Sequence, residues 1–503
     1  MSDSESLVLD IPEPYTGPID INTTCDEEDH LLLEELDFVP LHPVTTTTSH
    51  ELYYLLTNSV PLFFTFFFQY SIQILIPTYF SSRIGPLEMS SCTLSITTWY
   101  LTGPVMVNGF TSALDTLCST AFGAQHYHRV GQYYVKCTIV LLILLIPSMY
   151  FWSHAGSFFQ RITSFKGSQN QELAALCASF ISVFTYVAPA IGIFECTKRF
   201  LQSQCKFSVP TRIVIGGIPI SILFNMTIPK FLDSNSLHKA PAISFVFTYW
   251  IMTIALVSYM FFVDGYQCLP TIEGIKAWTV KSFVKSSFVF FQLGVPGVIM
   301  ILSEAFAFQI ITFLSTSFPK SQLAAQSIIS TLASLAFQPP FAVGICCSTR
   351  IANIIGAKSE NYKPVMKAIY ILMIGLSIFN FSWFFFLRNR ITSLFTNDPE
   401  ILDIAQRLAI IIAINQFLDC FNILCAAVLR GQGRQRIGSL LSLTTYYLIG
   451  IPLELFFAFK LDWKIYGLWI GLAIGVNFLS LLEMVIVNHS NWNNIIKESR
   501  KRS

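Results

Sequence analysis

Residues 114–125 read LDTLCSTAFGAQ and residues 347–358 read CSTRIANIIGAK. Laid together, they align Gly123-Ala124 with Gly356-Ala357 at an offset of 233 residues. Upstream of each copy lies an apolar run broken by proline, LTGPVMVNGF from Leu101 and FQPPFAVGIC from Phe337. A later pair follows at a similar offset: RFLQSQCK from Arg199 matches AVLRGQGR from Ala427, placing Arg199 and Arg430 in the same part of their copies. Self-similarity in one direction at a near-constant offset is the mark of a duplicated unit.

What that unit is follows from the solvent the chain must occupy. Of its 503 residues, 53% are hydrophobic, 15% aromatic and only 12% charged, with a mean hydropathy of +0.57. That is too apolar for an ordinary soluble domain. Crossing ~30 Å of hydrocarbon takes ~20 helical residues, and apolar runs of that size recur from Leu52 onward. The pattern predicts twelve spans, at 53–82, 92–120, 131–153, 172–197, 207–229, 242–264, 286–317, 324–348, 365–387, 401–429, 437–459 and 466–488. An offset near 230 then covers six spans. The expected fold is an all-α polytopic membrane protein of twelve transmembrane helices, arranged as two pseudo-symmetric six-helix lobes about an axis along the membrane normal.

The expected organisation is an acidic, disordered tail over 1–50, a first lobe over 51–264, a connector over 265–285, a second lobe over 286–488 and a short basic tail over 489–503. The first fifty residues hold twelve acids and no Lys or Arg, which suits a solvated segment and gives no basic n-region for a cleaved signal peptide. Of the 31 Lys and Arg, alternation of the loops puts 20 on one side, 10 on the other and Arg407 within a span. The richer side is expected to be cytosolic, with both termini, in a vacuolar, endomembrane or plasma membrane. The twelve Cys show no CxxC pair and read as small hydrophobes. The eight His show no metal-ligand spacing, so no metal and no nucleic-acid partner is expected, and the chain is expected to act as a monomer in the bilayer.

Chemistry is sought where charge is expensive. A charged side chain at a helix centre costs about 2.5–3.5 kcal/mol on insertion scales. Glu304, in LSEAFAFQ, is the one ionisable group between Lys285 and Lys320, and Asp419 lies inside the tenth span. A carboxylic acid without a resident cation escapes the cost by staying protonated, so it is able to take a proton from one side and release it to the other. The plainer reading is a hydrogen bond to a neighbouring helix. Gln309, Asn415, Gln416 and Asn422 add polar groups on the same two spans, with Asp419 and Asn422 on one face. Glu195 precedes Lys198 and Arg199 by a turn and reads as a helix-end salt bridge. Asp115 reads as a cap or pairing partner near a loop, and Glu454 as an acid reaching the interface. In the first lobe, Gln69, Tyr70 and Gln73 stand where an ion site would want an acid, so coupling is expected in the second lobe. Some of the 46 Phe and 19 Tyr would suit an organic cation through their ring faces.

Together, ALDTLCSTAFGAQHYHRVG from Ala113, FECTKRFLQSQCKF from Phe194, SIISTLASLAFQPPFAVGICCSTRIANIIGA from Ser327, FLDCFNILCAAVLRGQGRQRIGSLLSLTTYYLIGIPLELFF from Phe417 and YGLWIGL from Tyr466 resemble the multidrug and toxin extrusion (MATE) transporters, eukaryotic branch. The resemblance implies an antiporter that exports or sequesters small organic compounds in exchange for H+ or Na+ by alternating access, without an enzymatic step or organic cofactor. Eukaryotic members often carry a segment like LEWWSFE on the seventh span. Glu304 matches its first glutamate, and Gln309 stands where the second would be. Asp419 falls where the family has an ion-coupling acid on the tenth span. Ser348, Arg350, Asn353 and Gly356 match a motif after the eighth span that is implied to be structural or gating, and Asp115, Gly123, Arg199 and Arg430 are grouped with it. Within the superfamily a lipid-linked-substrate flippase is the alternative. Such a cleft would want cationic side chains for phosphate, and the spans hold almost none.

Overall fold

The computed structural model describes residues 46–163, 169–270, 278–359 and 361–502, and every element among them is helical. The acidic segment before residue 46 lies outside the described residues. Ten helices are long and apolar enough to cross a membrane, and the pair Gln171–Tyr186 and Ala188–Ser203, bent by 49°, adds an eleventh. The twelfth is the second span, Pro86–Thr102 and Pro104–Gly123, parted at Gly103. Its outer half, PLEMSSCTLSITTWYLT, is diluted by Ser and Thr, whose hydroxyls fold back onto carbonyls a turn earlier. Such bonding lets a helix bend.

The span ends differ from the sequence pattern where polar residues continue a helix. The seventh span runs Val280–Ser315, starting inside the expected connector, because the Thr279 side chain caps it by accepting from Ser282 N. The first span starts at Thr48, capped by Thr47, so residues 48–50 belong to it rather than to the tail. Beyond the twelfth span, Trp492–Arg502 is helical. Its Trp492 stacks on Tyr362 at 4.4 Å between ring centres, and Ile495 and Ile496 are buried.

The duplication is visible in packing. In the first lobe, span one packs on five, two on four, three on four, four on six and five on six. In the second lobe the same pairs recur with six added to each number. The loops repeat as well. Gln125 and Lys358, related by the 233-residue offset, both take left-handed backbone (φ 61° and 53°), and Cys205 and Gly433 form a second such pair (φ 62° and 69°). For non-glycine residues this conformation is costly, so its recurrence at matched positions marks a shared turn geometry.

Among the described residues, the lobes meet mainly through one half of the membrane. The inner part of span one, Thr48–Tyr70, packs against spans eight and nine and that of span two, Pro104–Gly123, against spans seven and eight, whereas the outer parts, Ile76–Ile84 and Pro86–Thr102, have no comparable packing on the second lobe. The contact therefore lies at the end with the basic loops. Here Gly123 and Gly356 carry out reciprocal roles. A Cβ on Gly123 would overlap the Asn353 carbonyl, and one on Gly356 would overlap the Thr120 carbonyl. Thr120 and Asn353 are separated by the same 233 residues, so a pseudo-twofold axis passes between the crossing helices. Only glycine allows backbones this close.

Candidate functional site

In the second lobe the tenth span, Pro399–Gly431, is the central helix, and Asn415, Gln416, Asp419 and Asn422 are all buried on it. Gln416 Nε2 donates to Asp419 Oδ2 at 3.0 Å, and Asn380 Nδ2, from the ninth span, donates to Gln416 Oε1 at 3.0 Å. The chain Asn380–Gln416–Asp419 fixes the carboxylate's orientation, and Asn422 lies beside both Asp419 and Tyr446. Asn415 Oδ1 is buried without a partner among the described residues.

Glu304 stands on the seventh span, two turns beyond the place where Gly297 and Val298 touch Ser112 and Gly109 of the second span. It is half-buried and makes no side-chain hydrogen bond or ion pair among the described residues. Asp419 and Arg430 are within electrostatic reach of it, as is Tyr100 of the first lobe. Glu304 thus lies just past the lobe contact, within electrostatic reach of Asp419 but not bonded to it among the described residues. Gln309 is half-buried, five residues farther along and outside this cluster.

The first lobe holds a different arrangement. Gln69 Nε2 donates to Glu195 Oε1 at 2.6 Å, and Gln73 Nε2 donates to the Tyr249 hydroxyl at 2.6 Å. Glu195 is paired with Lys198 at 2.7 Å, with both side chains almost fully buried. The expected bridge of Glu195 to Lys198 is thus present, but it lies in the interior rather than at an exposed helix end, and Gln69, 126 residues away, donates to the same carboxylate. The acid missing from span one is thus supplied by span four, already neutralised by Lys198. Replacing Lys198 by Met is expected to destabilise the protein by about 3–5 kcal/mol, since it leaves one buried charge uncompensated. Thermal unfolding in detergent checks this, and adding Glu195→Gln to the same chain is expected to recover much of the loss.

Of the two roles expected for Asp115, cap or pairing partner, the structure shows the pairing. Arg199 Nη1 donates to both of its oxygens, at 3.1 and 2.9 Å, and both side chains are 2% exposed. Nearby, Thr116 Oγ1 donates across the lobe contact to the Arg430 carbonyl at 2.7 Å, and Gln435 Nε2 donates to Thr116 at 2.9 Å. At the same end Arg350 grips Glu51 through Nε and Nη2, with its guanidinium 5.0 Å from the centre of the Tyr54 ring. Tyr54 donates to Cys205 Sγ at 3.1 Å, and Asn353 reaches the same sulfur at 3.7 Å. Arg350 and Asn353 thus join residues from span one and from the loop that follows span four.

Two buried acids stand apart from the sequence expectations. Glu454 does not reach the interface; it is fully buried, and neither oxygen has a partner among the described residues. Its span widens into π-helix at Thr444–Gly450 and Phe456–Lys460, and Gly471 of the twelfth span lets the Glu454 backbone approach closely. Glu483, in LSLLEMVIVN, is likewise fully buried with two unpartnered oxygens. The sequence reading leaves it out, although an acid within an uncharged run is the signal that singles out Glu304. The cysteines behave as small hydrophobes: all eleven described are unpaired, and all but Cys205 are buried.

The MatE family profile matches residues 61–227 and 296–456, one stretch in each lobe. The chain is 31% identical over 481 residues to the uncharacterized transporter YDR338C of Saccharomyces cerevisiae, covering 94% of this chain and 65% of that protein's length. It is 29% identical to Protein DETOXIFICATION 14 of Arabidopsis thaliana, covering 84% of each, and 25% identical to multidrug and toxin extrusion protein 2 of Mus musculus, over 85% of this chain and 73% of that one. The crystal structure of the eukaryotic MATE transporter AtDTX14 superposes with a TM-score of 0.79 at 26% identity, covering 90% of this chain and 98% of that one. A MATE in the straight conformation shares the fold at 14% identity, with a TM-score of 0.75 over 90% of this chain and 97% of that one. Twelve spans in two matched lobes, meeting at one end around buried carboxylates, belong to a chain of the MatE family, a multi-pass membrane transporter.

Proposed function

We propose that this protein is a proton-coupled antiporter that moves small organic compounds, cationic or drug-like, out of the cytosol, with both termini and the basic loops on the cytosolic side. The observation that carries the reading is Glu304, a carboxyl without a hydrogen-bond or ion-pair partner among the described residues, beside Asp419 and just past the lobe contact. A carboxyl there gains and loses a proton as the cleft faces each side in turn. Proton binding drives exchange only if the two conformations bind the proton with different affinity. Protonation of Glu304 and Asp419 from the non-cytosolic side weakens substrate binding, and deprotonation towards the cytosol restores it. The names of the mouse and Arabidopsis relatives, which speak of extrusion and detoxification for those proteins, support the substrate class.

The test is uptake of a fluorescent organic cation into acid-loaded proteoliposomes. Uptake is expected to require the pH gradient, to collapse with a protonophore and to be indifferent to Na+. Uptake driven by a Na+ gradient at uniform pH would move the coupling ion to Na+, and indifference to both gradients would overturn the antiport reading.

A further inference from the structure

Arg430 and Glu483 are oppositely charged, buried and unbonded in the same place. Arg430 is 7% exposed, and its Nε and Nη2 meet no acceptor among the described residues; Glu483 is 0% exposed, and neither oxygen meets a donor. The charges within reach of Arg430 are Asp115 and Arg199 from the first lobe and Glu483 and Glu304 from the second. Around Glu483 the facing titratable groups are Arg430 and Cys425 of the tenth span, Glu304 of the seventh and Tyr446 of the eleventh. Breaking up a buried pair is expensive, so two complementary groups held apart mark a bond that another arrangement makes.

The duplication shows why Arg430 is left in this position. In the first lobe Arg199 has its own carboxylate, Asp115. The 233-residue offset puts Ser348 in place of Asp115, and the Cys205–Gly433 register puts Ala427 in place of Arg199. The hydroxyl of Ser348 is itself buried and unpartnered among the described residues. The second lobe thus has no copy of the closed pair, and its cation, Arg430, stands one turn farther on, tied to the first lobe through Thr116.

We propose that Arg430 is a positioning residue that changes partner during the transport cycle. In the state described here it is drawn across the lobe contact towards Asp115; when the lobes part at the basic-loop end, it loses Asp115 and Thr116 and closes onto Glu483. Glu483 is the acceptor rather than Glu304, because Arg430 and Glu483 both lie within two turns of the basic-loop ends of their spans, Gly431 and Asn488. The two acids therefore pull one equilibrium in opposite directions. The proposal rests on alternating access but is independent of the coupling ion.

Nitroxide labels on keto amino acids incorporated at His128 and Arg436, exposed sites of the two lobes at this end, report the separation by pulsed dipolar spectroscopy in lipid nanodiscs, with native cysteines in place. Glu483→Gln is expected to lower the ratio of long to short distances by roughly tenfold. Asp115→Asn is expected to raise it by a similar factor, and Arg430→Lys to stay near the parent. Should Asp115→Asn fail to fold because Arg199 is stranded, Asp115→Asn with Arg199→Gln carries the same expectation. An unchanged ratio in Glu483→Gln, or a shift of the same sign for both acids, overturns the proposal while leaving antiport intact. A parent fixed at one distance under all pH and substrate conditions overturns alternating access and this proposal together.

Discussion

Glu304→Gln is expected to reduce pH-gradient-driven transport to the level of protein-free vesicles, while exchange of labelled for unlabelled substrate at uniform pH continues. The amide keeps the size and polarity of the acid but has no proton to exchange, so only coupling is removed. The side chain has no hydrogen-bond or ion-pair partner among the described residues, so the substitution breaks no such contact. Asp419→Asn is expected to lose gradient-driven transport as well. Its oxygen accepts from Gln416, which Asn380 orients, and an asparagine turned to keep that bond is compatible with folding but not with titration. Retention of pH-gradient-dependent transport by both variants would remove the coupling reading.

Glu51→Gln is expected to open the basic-loop end. The Arg350 fork spans the lobes, with Glu51 fully buried and Arg350 about one-fifth exposed. Losing a charge-assisted, bidentate contact of this kind costs about 2–3 kcal/mol. That cost falls on the state in which the lobes are joined here, so the equilibrium shifts by roughly 30-fold or more. Cys205 reports it, because its sulfur lies under Tyr54 and Asn353 in the same contact. Alkylation by a membrane-impermeant maleimide, quantified at the Cys205 peptide by mass spectrometry, is expected to rise by a similar factor, with Arg350→Gln matching it. The double variant is expected to be no worse than either single one, as coupled partners require. Unchanged Cys205 reactivity in both single variants would mean that the fork does not hold this end closed.

Much of this architecture is legible in the chain itself. The repeat leads to Gly123 and Gly356, and their reciprocal contact is what the 233-residue offset means in space. The expense of buried charge leads to Glu304 and Asp419, and the structure sets those two within electrostatic reach of each other. What the sequence hides is which helix faces meet. Glu195 reads correctly as half of a local bridge, but its interior place shows only when Gln69 arrives from span one. Glu51 has no cation near it in the chain, and its partner Arg350 arrives from span eight, 299 residues away. Glu454 follows Pro452 near a loop, and proximity to a loop mimics exposure. No feature of the one-dimensional pattern reports that π-helical segments and Gly471 turn it inward. Glu483 has no such excuse in physics, since its run is as apolar as that around Glu304.

The neutral pairing of the first lobe bears on voltage. Glu195 with Lys198 and Asp115 with Arg199 are closed ion pairs, so neither pair moves net charge across the bilayer when that lobe reorients. Under the proposed proton coupling, the current that accompanies a cycle is set in the second lobe, by the protons on Glu304 and Asp419 against the charge of the cargo. One proton exchanged for a monovalent cation is electrically silent. Two protons leave a net elementary charge, for which 100 mV across the membrane supplies about 2.3 kcal/mol of drive. Under that proposal, the number of carboxyls that titrate decides whether the transporter draws on the pH difference alone or on the membrane potential as well.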